Sequence, residues 1–340
     1  MRLLVTGGAG FIGSEFVRMT LREHPDDSVV VLDKLTYAGN PRNLDPVRSD
    51  KRFRFVQGDI GDAEIVDELA REVDAIVNFA AESHVDRSLE SPGQFIQTDV
   101  YGTYVLMEAA RAAGHERFVQ VSTDEVYGSV HEGRSVESDP LRPRSPYSAS
   151  KAGGEMLVWS YRASYGFPAI ITRGSNTYGH HQYPEKIIPL FITNAIDDLP
   201  LPIYGDGQAV RDYLHVEDHC TGIDTALRQG VPGEDYNVGY GGEGVNGIAV
   251  ADTILEALGK PESLKQHVQD RPGHDRRYAL DTGKLRALGW APQVDFAAGM
   301  RRTAQWYADN QDWWRPLKSG EFWDFYKRNY KPLHGAAAGG

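Results

Sequence analysis

The chain has a single cysteine, Cys220, in 340 residues, so no disulfide can close within it. A lone cysteine reads as a small buried hydrophobe without chemistry of its own. No apolar run approaches the roughly 20 residues that span a bilayer, and no membrane partner is expected. Strand-like residues begin at Arg2, which leaves no room for a signal peptide, so a cytoplasmic setting is expected. Cations are in deficit: 36 Lys and Arg face 48 Asp and Glu, for a net charge of −12. That balance argues against a nucleic-acid partner, which needs a basic face. Any phosphate-bearing ligand must then be held by a few placed cations and backbone amides. No internal repeat is evident, and no metal is expected.

What remains is ordinary for a globular chain, with 41% hydrophobic and 25% charged residues. The length accommodates a nucleotide-binding domain and a smaller second lobe. Arg2-Leu3-Leu4-Val5-Thr6 reads as a buried strand running into Gly7-Gly8-Ala9-Gly10-Phe11-Ile12-Gly13. Glycines at 7, 10 and 13 permit a tight turn, close approach to a pyrophosphate and close helix packing, and the helix that follows offers its N-terminal amides. A second strand, 29–32, ends in Asp33, about 20 positions past Gly13, where a carboxylate takes the ribose hydroxyls of NAD rather than NADP. Asp59, followed by Ile60 after a third strand, either accepts from the adenine amino group or caps the next helix. Ala80 and Ala81 follow a fourth strand and let the backbone lie against the cofactor. Strands alternating with helices predict an α/β, doubly wound parallel sheet of the Rossmann type over 1–172.

The fifth strand, 118–121, leads into Ser122-Thr123-Asp124-Glu125, at the strand end where open α/β sheets bind ligands. Farther on, Tyr147 and Lys151 stand one helical turn apart. A phenol, with a reference pKa of about 10, is a poor base. The Lys151 ammonium and the charge of NAD⁺ favour its phenolate. Tyr147 then removes a hydroxyl proton while hydride leaves the same carbon, and Thr123 orients that hydroxyl. Asp124 and Glu125 have no use in a simple dehydrogenase. Two adjacent carboxyls can divide into one protonated and one ionised, which is what expulsion of water beside a new ketone requires. The plainer alternative is that they cap the turn after the strand.

From about Arg173 loops lengthen and Gly, Pro, His, Tyr and Arg accumulate. This predicts a smaller C-terminal α/β substrate lobe over 173–334, a segment near 214–240 returning to the sheet, and a disordered tail at 335–340. Its scattered arginines, Arg211 and Arg271 among them, suit a nucleoside diphosphate.

These motifs together resemble the extended short-chain dehydrogenases/reductases, specifically the dTDP-glucose 4,6-dehydratase type. The matching segments are 6–13, 81–88, 122–128, 147–151, 184–186, 204–207 with Arg211-Asp212, and 271–277. The resemblance implies NAD as a retained cofactor and a nucleotide-diphosphate hexose as substrate. It assigns Glu125 as the C5 base and Asp124 as the acid for the leaving C6 hydroxyl. It carries substrate contacts onto Asn176, Glu185, Lys186, Arg211, Asn246 and Tyr278. The matched segments add Ser83, His84, Tyr204, Arg271 and His274. It also implies a homodimer through helices near 95–113 and 148–165, with Leu157, Trp159 and Tyr161 as apolar surface. The chain departs from the family at Asp99, Thr177, His180 and His181 and in the 239–246 loop. All are expected on the substrate side, with His180 and His181 either reshaping sugar or phosphate contacts or lying bland on the surface. Competing expectations are a nucleotide-sugar 4-epimerase, a dehydratase of other regiochemistry or nucleotide, and a non-catalytic NAD-binding sensor.

Overall fold

The computed structural model describes residues 1–270 and 275–330. Seven parallel strands form the central sheet: β1 (Arg2–Thr6), β2 (Ser28–Asp33), β3 (Phe53–Gln57), β4 (Ala75–Asn78), β5 (Arg117–Thr123), β6 (Ala169–Gly174) and β7 (Asp235–Val238). Their order is β7-β6-β5-β4-β1-β2-β3. Leu3, Leu4 and Val5 are wholly buried, as are Ala75, Ile76 and Val77. Such unbroken apolar runs are what a sheet covered on both faces requires. The helices Phe11–Glu23 and Val216–Gln229 cover one face through Phe16, Val17, Ile223 and Leu227. Ala63–Ala70, Thr103–Ala113 and Pro146–Tyr165 cover the other through Val66, Leu106 and Val158. Each fully buried aliphatic side chain contributes about 1.5–3 kcal/mol.

β1 lies between β2 and β4, so the strand order reverses there and opens a crevice at the carboxyl ends. β5 is longer than its apolar run. Its pairing with β6 continues through Ser122 opposite Arg173 and Thr123 opposite Gly174. Asp124 and Glu125 are thus the first residues beyond the sheet. Arg173 is completely buried on β6 and donates to Glu155 at 2.7 and 2.9 Å and to Asp235 at 3.0 Å. These bonds tie the Pro146–Tyr165 helix to β6 and β7.

After Gly174 the chain leaves the sheet, and Tyr178, Ile188, Phe191, Ile254, Met300, Tyr307 and Trp314 share a separate core. Helix Val216–Gln229 and β7 return to the sheet, β7 pairing with β6 from Asp235 opposite Ile171. Leu285 and Trp290 come back as well and pack into the sheet's core, a second return absent from the expectation. The 335–340 tail lies outside the described residues. Among the described residues no helix is long and apolar enough to cross a membrane.

Candidate active site

Two cavities meet at the carboxyl ends of the strands. The larger, about 300 Å³, follows the crevice from the glycine turn to Tyr147 and Lys151. The smaller, about 180 Å³, opens between the crevice and the second core. Glu125, Asn176, Thr177, Gln182, Glu185 and Lys186 line both.

At the sheet end of the large cavity Gly7 has φ +67°, and a Cβ there would stand 2.6 Å from the Ala80 amide nitrogen. A Cβ on Gly13 would meet the Gly7 carbonyl oxygen at 2.4 Å. Only glycine allows this turn and helix to close against each other. Gly10 caps the Phe11–Glu23 helix without any side-chain bond, which leaves first-turn amides facing the crevice with Phe11 and Ile12. Asp33 is buried, accepting from the amides of Ala9 (2.9 Å) and Leu35 (2.8 Å). Burial raises its pKa against those two amides. Asp59 accepts from Lys34 Nζ (2.6 Å) and the Gly61 amide (2.9 Å). Asp59 does not cap the next helix: that cap is Asp62, which accepts from Glu64 and Ile65. Ile60, Ala80 and Ala81 line the same wall. The cradle, the free helix terminus and the buried carboxylate fit a dinucleotide.

At the other end Thr123 caps the short helix Asp124–Tyr127, accepting from the Glu125 amide at 3.3 Å. Capping of the turn therefore falls to the hydroxyl, not the two carboxyls. Asp124 is buried, with Oδ1 accepting from Thr123 Oγ1 (3.2 Å) and Oδ2 lacking a hydrogen-bond partner. Burial, then the charge of Glu125, pushes its carboxyl well above the usual range. Burial and that like charge favour the protonated form of Asp124, beside a half-buried Glu125.

Tyr147 lies within hydrogen-bond reach of Thr123, and burial, then Glu125 and Asp99, pushes its phenol up. Lys151 donates to the Val121 carbonyl at 2.7 Å, and burial lowers its pKa against Asp99 and Glu155. The expected easing of Tyr147 by Lys151 is thus outweighed in the protein alone. Asp99 corrects a second expectation. It sits beneath the Tyr147/Lys151 helix, bonded to Ser150, and not on the substrate side.

Around the small cavity, the Asn176 Oδ1 atom is buried without a hydrogen-bond partner. Glu185 pairs with Arg87 at 3.0 Å, and Lys186 donates to the Ser83 carbonyl. His84 and Tyr204 line the cavity, edge-on to Phe325 and stacked on Tyr330 respectively. Arg211 also lines it, with its guanidinium 4.4 Å from the Tyr278 ring centre. Tyr278 lines neither cavity: its hydroxyl donates to Asp275 at 2.6 Å, and it backs Arg211. Asn246 also lines neither. It caps the Gly247–Leu258 helix through the Ala249 amide and donates to Gln208. Arg271 and His274 lie outside the described residues.

His180 and His181 are neither cavity residues nor surface decoration. His180 bonds Glu15 at 3.0 Å, and the neighbouring His181 ring lies tilted 4.5 Å from Trp306, so the pair joins the Phe11–Glu23 helix to the second core. Thr177 does face the cavities, its hydroxyl 2.7 Å from His219 Nδ1. Tyr161 is buried, while Leu157 and Trp159 are partly buried and pack on the sheet's core, leaving only part of each side chain free. Sequence reading missed Tyr37, which lies under Arg87 (3.8 Å) and beside Glu185. It also missed His219 and gave no role to Glu82 of the 81–88 segment, both of which line the crevice. No local pattern marks Tyr37 or His219, because their partners stand far away in sequence.

The GDP-mannose 4,6 dehydratase family model matches residues 4–303. A dTDP-glucose 4,6-dehydratase of Streptomyces niveus is 51% identical over 324 residues, covering 94% of this chain and 96% of that protein. The crystal structure of DesIV, a dTDP-glucose 4,6-dehydratase from Streptomyces venezuelae with NAD bound, superposes with a TM-score of 0.91. It is 53% identical, and the match covers 94% of this chain and all of that one. A UDP-glucose 4-epimerase from Thermus thermophilus in complex with NAD is 37% identical, with a TM-score of 0.84 over 91% of this chain and all of that one. The chain belongs to the GDP-mannose 4,6 dehydratase family, within the extended short-chain dehydrogenases/reductases that its motifs resemble.

Proposed function

We propose that the protein is an NAD-dependent nucleotide-sugar 4,6-dehydratase that converts a dTDP-hexose, dTDP-glucose first among them, to its 4-keto-6-deoxy sugar. Its relatives' activity supports the substrate. The observation that carries the reaction type is a buried Asp124, its pKa raised, on the wall of the larger cavity beside Glu125, which lines both cavities.

The glycine turn, the Phe11–Glu23 terminus and Asp33 would hold a nicotinamide dinucleotide in the crevice, and it would supply reversible hydride chemistry for the sugar's C4 and C6. Tyr147 accepts the C4 hydroxyl proton as the carbonyl forms, with Thr123 fixing that hydroxyl. The new ketone acidifies C5–H, and Glu125 removes that proton. Asp124 protonates the C6 hydroxyl, which departs as water. Glu125 returns its proton to C5. The proton left on Tyr147 and the one missing from Asp124 then re-equilibrate through solvent. Asn176, Lys186 and Arg211 bind the diphosphate and sugar, and Glu185 holds Arg87 in place.

The division into a cofactor domain (1–172) and a substrate lobe (173–334, less its returns to the sheet) is part of this reading. So is a homodimer. Tyr101 (44% exposed), Tyr104 (42%), Met156 (45%) and Tyr165 (59%) lie along the two helical segments named for it and support that face. A cytoplasmic setting goes with the single, buried thiol.

The test offers purified protein dTDP-, UDP- and GDP-hexoses and follows the products by mass spectrometry. Loss of one water from a dTDP-hexose is expected. Epimerised sugar of unchanged mass would instead identify an epimerase.

A further inference from the structure

Asp99 lies on a π-helical turn, Ile96–Gly102, a backbone form that often marks functional positions. The turn presses on the Tyr147/Lys151 helix so closely that a Cβ on Gly154 would meet the Asp99 carbonyl at 2.8 Å. The Asp99 side chain is 2% exposed. One oxygen accepts from Ser150 Oγ at 2.5 Å and the other from the Glu82 amide at 3.1 Å. It thus joins the residue before Lys151 to the crevice loop after β4. No described cation lies within ion-pair distance of it.

Three charged or titratable groups face Asp99. These are Lys151 and Tyr147 from the helix and Glu82 from the loop. Lys151 is itself buried, with the Val121 carbonyl as its hydrogen-bond acceptor. The other carboxylate near it, Glu155, is neutralised by Arg173 at 2.7 Å. Among the described residues that leaves Asp99 as the uncommitted negative charge beside the Lys151 ammonium.

We propose that Asp99 is a positioning residue for the hydride step: its carboxylate is the nearby negative charge that acts on Lys151 without contact, clamps Ser150 and the Glu82 amide, and sets the pH range in which Tyr147 and Lys151 work together. This inference rests on the dehydratase reading and deepens it. The electrostatics agree. Burial raises Asp99 to about 6 while Lys151 opposes the rise. Asp99 in turn supports the ammonium and disfavours the phenolate.

Asp99→Asn keeps an acceptor for the Glu82 amide and gains a donor towards Ser150, so the clamp persists without its charge. Both Tyr147 and Lys151 then lose their protons more readily. Both limbs of the pH profile for reduction of bound nicotinamide by dTDP-glucose are expected to move to lower pH by about one unit. In cofactor-free protein, lysine side-chain NMR should show the Lys151 ammonium titrating lower by a similar amount. Ser150→Ala removes the bond but leaves the charge, and its limbs should match wild type. Asp99→Glu should also keep the wild-type limbs, and it serves if Asp99→Asn does not fold.

Unmoved limbs in Asp99→Asn, a shift in Ser150→Ala as large as that in Asp99→Asn, or displaced limbs in Asp99→Glu would overturn the proposal. Absence of nicotinamide reduction in wild type would count against the dehydratase reading instead.

Discussion

Replacing Glu125 with glutamine should split the reaction into its halves. Glu125 lines both cavities, and its charge is the second-largest influence, after burial, on both Asp124 and Tyr147. The variant removes the base proposed for C5 and also a like charge from two neighbours. Loss of a positioned base slows elimination by about 10²–10⁴-fold, or roughly 2.7–5.4 kcal/mol at 1.36 kcal/mol per tenfold. Transfer from C4 does not use Glu125 and should persist. Its acid limb should move to lower pH, because the phenol no longer ionises against a neighbouring carboxylate. In stopped flow with dTDP-glucose, reduced nicotinamide should rise to near one equivalent per site and stay. Mass spectrometry should find little loss of water. Dehydrated product at the wild-type rate would refute the assignment of the base, and failure to reduce the cofactor would refute the separation of the two steps.

Tyr147→Phe should retain its dinucleotide, measured by chromatography of the cofactor released on denaturation, yet lose nicotinamide reduction by about 10²-fold or more. Glu15 offers a test of stability. Burial alone would raise its pKa, but the hydrogen bond to His180 and the charge of Arg18 hold it at about 2, against 4.5 ordinarily. A lowered folded-state pKa gives stability that is complete above the unfolded value and lost as pH falls towards 2. Glu15→Gln should therefore unfold at lower urea than wild type at neutral pH, with the gap narrowing steadily below pH 4.5.

Much of the cofactor side was legible in the chain. Gly7, Gly10, Gly13 and Asp33 act through backbone shape and strand ends a few residues away, and local sequence carries that information. Tyr147 and Lys151 likewise share one helix face by spacing alone. The substrate side was less legible, because its residues come from separated loops. The resemblance carried substrate contacts onto Asn246 and Tyr278, yet one caps a helix and the other supports Arg211. His180 and His181 looked like surface or ligand residues until Glu15 and Trp306 were found against them.

By itself the sequence determined the parallel α/β architecture and the glycine turn of the dinucleotide cradle, while roles for the acid, base and phenol came with the family resemblance. Periodicity and glycine geometry are short-range properties. Only the tertiary structure decided what those groups are in place. It buried Asp124 and so raised its pKa, matched Lys151 with the Val121 carbonyl, and brought Asp99 beneath the Tyr147/Lys151 helix across 51 residues of chain. Protonation depends on the water excluded and the charges gathered around a group, and both arise only when distant segments pack together.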